Sequence, residues 1–327
     1  MAVIDVHSHM LSEDYLKLLL DRGAPQYTLR KTGSGPGLIL EDGTPLLPMT
    51  PAMFDYKERI KGMDAAGVDM AVVSLTAPNS YFGGPEVSAK ASMLINDDMR
   101  AAQTQYPDRL RFFASLPWQY PDLAVSELKR ACGLGAAGVV VIANIQGKSL
   151  TDSMFEPIWQ AIDDRALPVF IHPTNPPGYR QMDIDKYMLH ASVAFMFDTT
   201  LAITRMVMDG FFDRFAKLKM IVPHGGATIP FLAPRIQAMY ERFPPAREKI
   251  STPPLHYLKR LYYDSAVFDV ATLRAVVEFA GPAQVMYGTD FPHGSADLVA
   301  NLGRINALPP DQAKAVTGGN AQALFGL

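Results

Sequence analysis

Short runs of apolar, often β-branched residues alternate along this chain with longer stretches whose apolar positions recur at helical spacing. Eight of the short runs read as strands, at 3–6, 70–75, 110–116, 138–143, 168–171, 219–222, 261–264 and 284–287. Helical spacing covers 56–66, 86–106, 123–133, 154–164, 199–212, 230–243 and 270–279, and a last helix at 310–324 closes the chain. Strand–helix alternation implies parallel strands joined by right-handed crossovers. Eight such units close most naturally into a (β/α)8 TIM barrel, an α/β fold. The competing arrangement is an open doubly wound sheet. It is disfavoured because no glycine-rich dinucleotide loop follows the first strand.

Residues 11–55 interrupt the alternation. Tyr27-Thr28-Leu29-Arg30, a glycine-rich turn from Thr32 through Ser34 to Gly37, and Leu38-Ile39-Leu40-Glu41 before Asp42-Gly43 read as a hairpin-bearing, β-rich insertion. A connection this long in a compact barrel is usually functional, so the insertion is expected over the active-site mouth. A proline-rich stretch at 243–255 reads as a surface or subunit-contact loop. The expected organisation is one barrel domain over 1–327 with the insertion at about 11–55.

Composition narrows the classes. With 48% hydrophobic and 19% charged residues in 327, the chain can bury a large core. A net charge of -3 with scattered basic residues gives no reason to expect a nucleic-acid partner. One cysteine, Cys132, excludes an internal disulfide framework and fits a reducing compartment. It falls at the end of an amphipathic helix, where a structural thiol is expected rather than a nucleophile. Asp5 and His7 break the first apolar run too early for a signal peptide, and no segment reads as a membrane span. A cytoplasmic protein is expected.

The chemistry lies at the strand ends. In a barrel, residues just past the C-terminal ends of the strands converge on one opening. There the first strand brings His7 and His9, spaced so that both side chains point one way. The fifth brings His172, the sixth His224 before Gly225-Gly226, and the eighth Asp290 in Gly288-Thr289-Asp290-Phe291-Pro292. Three imidazoles and a carboxylate hold a divalent metal and leave room for water or substrate. His7, His9, His172 and Asp290 are assigned to the metal, with His224 as the proton-handling residue. Asp290 is a second candidate for proton transfer. His190 and His256 read as surface or packing residues, and His293 as packing rather than cavity. Asp198 reads as a helix N-cap, and Asp264 as lining either the cavity or the core.

These residues together resemble the amidohydrolase superfamily. The resemblance is to the branch holding aminocarboxymuconate-semialdehyde decarboxylase and the aromatic-acid decarboxylases. The run Phe211-Phe212-Asp213-Arg214-Phe215-Ala216-Lys217-Leu218-Lys219 before His224 and the ending Gly319-Asn320-Ala321 are typical of that branch, and the likeness spans essentially the whole chain. It implies a mononuclear zinc, or alternatively manganese, barrel on the ligands named above. It implies decarboxylation of a small unsaturated or aromatic carboxylic acid, in a homodimer. Arg235 matches an arginine that binds substrate carboxylate across the subunit interface, and Asn175 and Phe291 are the other expected substrate-binding residues.

Departures blur the substrate. Leu47 stands where the muconate-semialdehyde enzyme has a second carboxylate-binding arginine, by count from the arginine that Arg59 matches. Thr174-Asn175-Pro176-Pro177 replaces its Trp-Asp turn. His7 stands where the resorcylate and carboxyvanillate enzymes commonly carry Glu, and Ala227 where they carry an acid. Hydrolysis or hydration of a lactone, ester, amide or unsaturated acid on the same ligands is the alternative. A non-catalytic binding barrel is disfavoured because every expected ligand is retained.

Overall fold

The computed structural model describes residues 2–33 and 35–327; Ser34, in the glycine-rich turn, lies outside the described residues. All eight expected strands form. They are β1 (Ile4–His9), β2 (Met70–Ser74), β3 (Leu110–Ala114), β4 (Gly138–Ile142), β5 (Pro168–His172), β6 (Lys219–Val222), β7 (Tyr262–Asp264) and β8 (Val285–Met286). They pair in parallel in chain order, β1 to β8. A bridge between Ser8 and Phe291, with Val6 N donating to Tyr287 O at 2.9 Å, brings β8 back to β1. The result is a nearly closed eight-stranded parallel barrel.

Both faces of these strands are buried, which is why they read as continuous apolar runs rather than as alternations. Val6, Val72, Phe113, Val140, Phe170, Ile221 and Met286 fill the barrel interior, and Ala321 and Leu324 pack against them. Their strand neighbours, such as Val73, Phe112, Val139, Val169 and Val222, face outward into the layer beneath the helices.

One irregularity matters for function. The β1–β2 register shifts between Asp5 and Ser8. Without that bulge, Ile4 and Val6 would share a face with Ser8. With it, Val6 and then His7 and His9 all point into the barrel, so one strand supplies both core and site.

The insertion contains a three-stranded antiparallel sheet, Tyr27–Arg30, Gly37–Glu41 and Thr44–Met49. Asp42 and Gly43 form its two-residue turn, with φ of 48° and 84°. Positive φ at both central residues is what a tight hairpin needs to match the twist of its strands. The insertion is not purely β. Glu13–Arg22 is a helix, opened by Ser12, whose side chain accepts from Tyr15 N. A second unexpected helix, Leu298–Asn306, follows β8 and is capped by Asp297.

Two expected helices are interrupted. The closing one is broken by a π-helical turn, Ala315–Gly319. There a side chain on Gly318 would strike the Ala2 carbonyl oxygen. The helix after β5 begins earlier than expected, with a π turn at His190–Ala194 continuing into Phe195–Met208. At 19 residues and mean hydropathy 1.2, His190–Met208 is long and apolar enough to cross a membrane, contrary to the sequence reading. Ala202, Ile203, Met206 and Val207 bury one face of it within the protein core.

Candidate metal centre

The upper ends of β1, β5 and β8 bring the four candidate ligands together. The ligand atoms of His7, His9, His172 and Asp290 all lie within 4.8 Å of one another. His7 Nε2 and His9 Nε2 are 3.1 Å apart, and each is 3.0 Å from Asp290 Oδ1. His172 Nε2 stands 3.9 Å from the same oxygen. It is buried and has no hydrogen-bond partner among the described residues.

The far nitrogen of each imidazole explains this convergence. His7 Nδ1 donates to Asp264 Oδ2 at 2.5 Å. His172 Nδ1 donates to the Pro173 carbonyl at 2.8 Å. His9 Nδ1 lies 3.1 Å from Ser74 Oγ, whose own hydrogen goes to the Ser8 carbonyl, so the imidazole donates there too. Every Nδ1 therefore carries the proton, and three Nε2 lone pairs face one point. Bare lone pairs 3.1 Å apart repel unless a cation sits between them. Ligands about 2.1 Å from a tetrahedral metal are about 3.4 Å from each other, and the observed spacings bracket that value. Three imidazoles and one carboxylate, each imidazole held from behind, fit a single divalent metal ion.

The charge balance agrees. Burial alone would lower the His7 imidazole, but Asp290 and Asp264 outweigh it and push it up to about 10. Burial, with help from neighbouring imidazoles, brings His9 well below its ordinary value and His172 down to about 4. Burial would raise Asp290, yet the imidazoles of His293 and His7 hold it well below the usual carboxylate range. Asp290 and Asp264 thus draw one positive charge to His7, as a proton on Nε2 or as a metal ion in that proton's place.

The backbone that aims these groups is strained. Asp290 and His224 have φ of 65° and 54°, where residues with a side chain are uncommon. Asp290 N donates to His7 O at 2.8 Å, and Thr289 Oγ1 donates to Asp5 Oδ2 at 2.6 Å, so buried Asp5 pins the turn. Gly288 is required by close approach, since a Cβ there would lie 2.8 Å from Asp264 Cβ and 2.9 Å from His7 Cβ. After β6, Gly225 N donates to Asp264 Oδ1 at 2.8 Å. This directs His224 Nε2 to 3.7 Å from Asp290 Oδ2. Asp264 therefore belongs to the site from behind: one oxygen orients His7 and the other holds the turn carrying His224.

Beneath β1, the buried guanidinium of Arg59 donates to Ser8 Oγ and to the His9 carbonyl, fixing the exit of the strand.

The site opens into a cavity of about 750 Å³ lined by His172, His224 and Asp290. Its walls include apolar Leu46, Pro48, Met188, Phe195 and Val267, with Leu46 and Pro48 coming from the insertion. Two histidines read as packing residues also line it. His293 Nε2 is 3.9 Å from Asp290 Oδ1, because the turn after β8 folds back over the metal centre. His190 is buried against the same cavity. No periodicity marks either residue; only the return path of its loop does.

The residues expected to bind substrate do not gather at this cavity. Asn175 lines a neighbouring cavity of about 340 Å³, where its Nδ2 donates to Glu41 Oε2 at 3.0 Å. The Phe291 ring packs 4.9 Å from the Arg59 guanidinium. Arg235 is exposed on the helix Ile229–Arg242. Asp198 is not an N-cap: it is buried inside the helix and accepts from Thr174 N and Asn144 Nδ2, both at 3.0 Å. It ties together the loops after β4 and β5.

Residues 4–327 match the amidohydrolase family. The chain is 28% identical over 331 residues to 2-amino-3-carboxymuconate-6-semialdehyde decarboxylase of Dictyostelium discoideum, covering 99% of this chain and 91% of that one. The crystal structure of 5-carboxyvanillate decarboxylase from Sphingomonas paucimobilis superposes with a TM-score of 0.84 at 25% identity, covering 100% and 99% of the two chains. A dihydroxybenzoic acid decarboxylase from Polaromonas sp. JS666, solved with bound manganese and the inhibitor 2-nitroresorcinol, shares the fold. Its TM-score is 0.82 at 22% identity, with 100% and 97% covered. This chain belongs to the amidohydrolase family, and its His/Asp group is a site for a divalent metal.

Proposed function

We propose, from that family membership, that the protein is a metal-dependent carboxy-lyase that decarboxylates a small unsaturated or aromatic carboxylic acid. The observation that carries the reading is the buried cluster of three Nε2 lone pairs and one carboxylate, with His224 beside it, at the floor of an apolar-walled cavity. The relatives matched over nearly their whole length carry decarboxylase names, which favours carbon dioxide release over hydrolysis.

His7, His9, His172 and Asp290 would hold the metal. Three nitrogens and one oxygen suit zinc, and manganese is the alternative given the ion bound in the Polaromonas protein. When bound, the ion supplies a fixed positive charge that orients an anionic substrate and offsets charge developing as carbon dioxide leaves.

The chain's own groups do the rest. Apolar Leu46, Phe195 and Val267 flank the carbon skeleton and exclude water. As the bond to the carboxylate carbon breaks, its electron pair stays on the skeleton and must take up a proton. His224 Nε2 is placed to deliver it, with the ionised Asp290 Oδ2 3.7 Å away to favour the protonated imidazole.

Arg235 is assigned to a partner's cavity, in a homodimer. Val193, Phe197 and Leu201 form an exposed apolar stripe on one helix. Phe231 is 84% exposed one helical turn before Arg235. Exposed apolar surface of this kind, with Phe231 beside a guanidinium that has no partner among the described residues, is what a subunit contact would cover.

Metal content by mass spectrometry, with His7→Ala as control, tests the site; gas release from carboxylated substrates tests the chemistry. About one ion per chain, reduced in the variant, and stoichiometric carbon dioxide are expected. A folded protein that cannot be loaded with metal would overturn the reading. Proton release without gas would replace it with hydrolysis.

A further inference from the structure

His190 has no part in the metal centre, yet three observations single it out. The residue is 2% exposed, lines the cavity shared by His172, His224 and Asp290, and has its Nδ1 buried without a partner among the described residues. It opens a π-helical turn, His190–Ala194, an arrangement that recurs at functional sites because it displaces side chains from the α-helical phase. The chain just before it is strained: Asp183, Tyr187 and Met188 have φ of 51°, 56° and 58°. Left-handed backbone at tyrosine and methionine persists only where surrounding structure enforces it. His190 N is meanwhile anchored to the Ile184 carbonyl at 3.2 Å.

We propose that His190 is a specificity-determining residue whose imidazole pairs with a hydroxyl substituent of the substrate at the cavity wall built from residues 188–196. The substrate's nature rests on the decarboxylase reading; the pairing does not.

The hydroxyl follows from the chemistry of the group. A buried imidazole is kept neutral, with one nitrogen donating and the other accepting. A hydroxyl both donates and accepts, so it satisfies a ring nitrogen in either tautomer. A second carboxylate would need one N–H fixed toward it or a charged ring, which burial opposes, and an ammonium would need the opposite tautomer. The neighbours Met188, Ala191, Phe195 and Met196 offer no competing charge. Leaving a buried polar atom unpaired is unfavourable, so a site of this kind discriminates against ligands lacking the hydroxyl.

The test uses the metal-loaded enzyme and calorimetric affinities for benzoate, its three monohydroxy derivatives and 2,6-dihydroxybenzoate. Wild type is expected to bind at least one hydroxylated acid about tenfold more tightly than benzoate. That preference should vanish in His190→Phe and return in part in His190→Gln, with metal content unchanged. The proposal is overturned if the preference survives in His190→Phe. It is overturned equally if wild type shows no preference, if no hydroxybenzoate binds at millimolar concentration, or if all affinities fall by the same factor. Gas release is measured separately. A lost preference with no gas from any acid would sustain His190 and sink the decarboxylase reading; gas with no preference would do the reverse.

Discussion

Asp264→Asn isolates the group that orients His7, the first of the candidate metal ligands. Wild-type Asp264 accepts from His7 Nδ1 at 2.5 Å on one oxygen, and from Gly225 N and Ala266 N at 2.8 and 3.1 Å on the other. In the variant the two backbone donors keep the single amide oxygen, so the amide NH2 must face His7. His7 can meet that donor only by moving its proton from Nδ1 to Nε2, the atom that faces the metal. A protonated Nε2 is no ligand. The variant must therefore either shift the tautomer or leave two donors opposed in a fully buried site. Loss of such a supporting carboxylate typically lowers metal affinity 10- to 100-fold, about 1.4–2.7 kcal/mol. The assay is competition for zinc against a chromophoric chelator, with His7→Ala marking full loss of the ligand and circular dichroism confirming the fold. An Asp264→Asn affinity within twofold of wild type would refute the reasoning, since neither the tautomer nor the ligand would then depend on the carboxylate.

Three further outcomes are expected. His224→Ala should retain its metal while turnover falls by about two to four orders of magnitude, the usual worth of a positioned proton-transfer group; unchanged turnover would remove it from the mechanism. Arg235→Ala should raise KM for carboxylated substrates with little change in kcat, and mixing it with a His224→Ala chain should partly restore wild-type KM if the arginine acts across subunits. Asp198 should make stability fall as pH rises: burial pushes its carboxyl from 3.8 up to about 7. Its contribution is therefore complete below about pH 4 and lost as pH climbs through 7. At about 1.4 kcal/mol per pH unit this amounts to roughly 4 kcal/mol, so urea midpoints of Asp198→Asn should gain on wild type between pH 4.5 and 8. A parallel pH dependence in the two proteins would show that the carboxyl does not titrate on unfolding.

The pattern along the chain was enough for the barrel and for the hairpin at Asp42-Gly43. Parallel strands buried on both faces must be apolar throughout, and a two-residue turn with positive φ at both positions demands its own residue types. The helices Glu13–Arg22 and Leu298–Asn306 were legible in principle. Ser12 and Asp297 cap them, with acidic residues opening the first and Arg22 and Arg304 near their ends. Their short apolar faces hid inside segments that read as insertion and loop.

The histidines and aspartate at strand ends were legible because barrel topology sends every such position to one opening. What tertiary structure alone decided is where a side chain points once the chain leaves a strand. The bulge in β1 turns Val6, His7 and His9 all inward, although an ideal pleat would separate Val6 from the two histidines. Loop return paths bring His190 and His293 to the cavity and hold Phe291 against Arg59 and Asn175 against Glu41. Periodicity reports which face of a regular element is buried. It carries no information on residues whose direction is set by non-repeating backbone dihedrals, and those are the residues that distinguish this cavity.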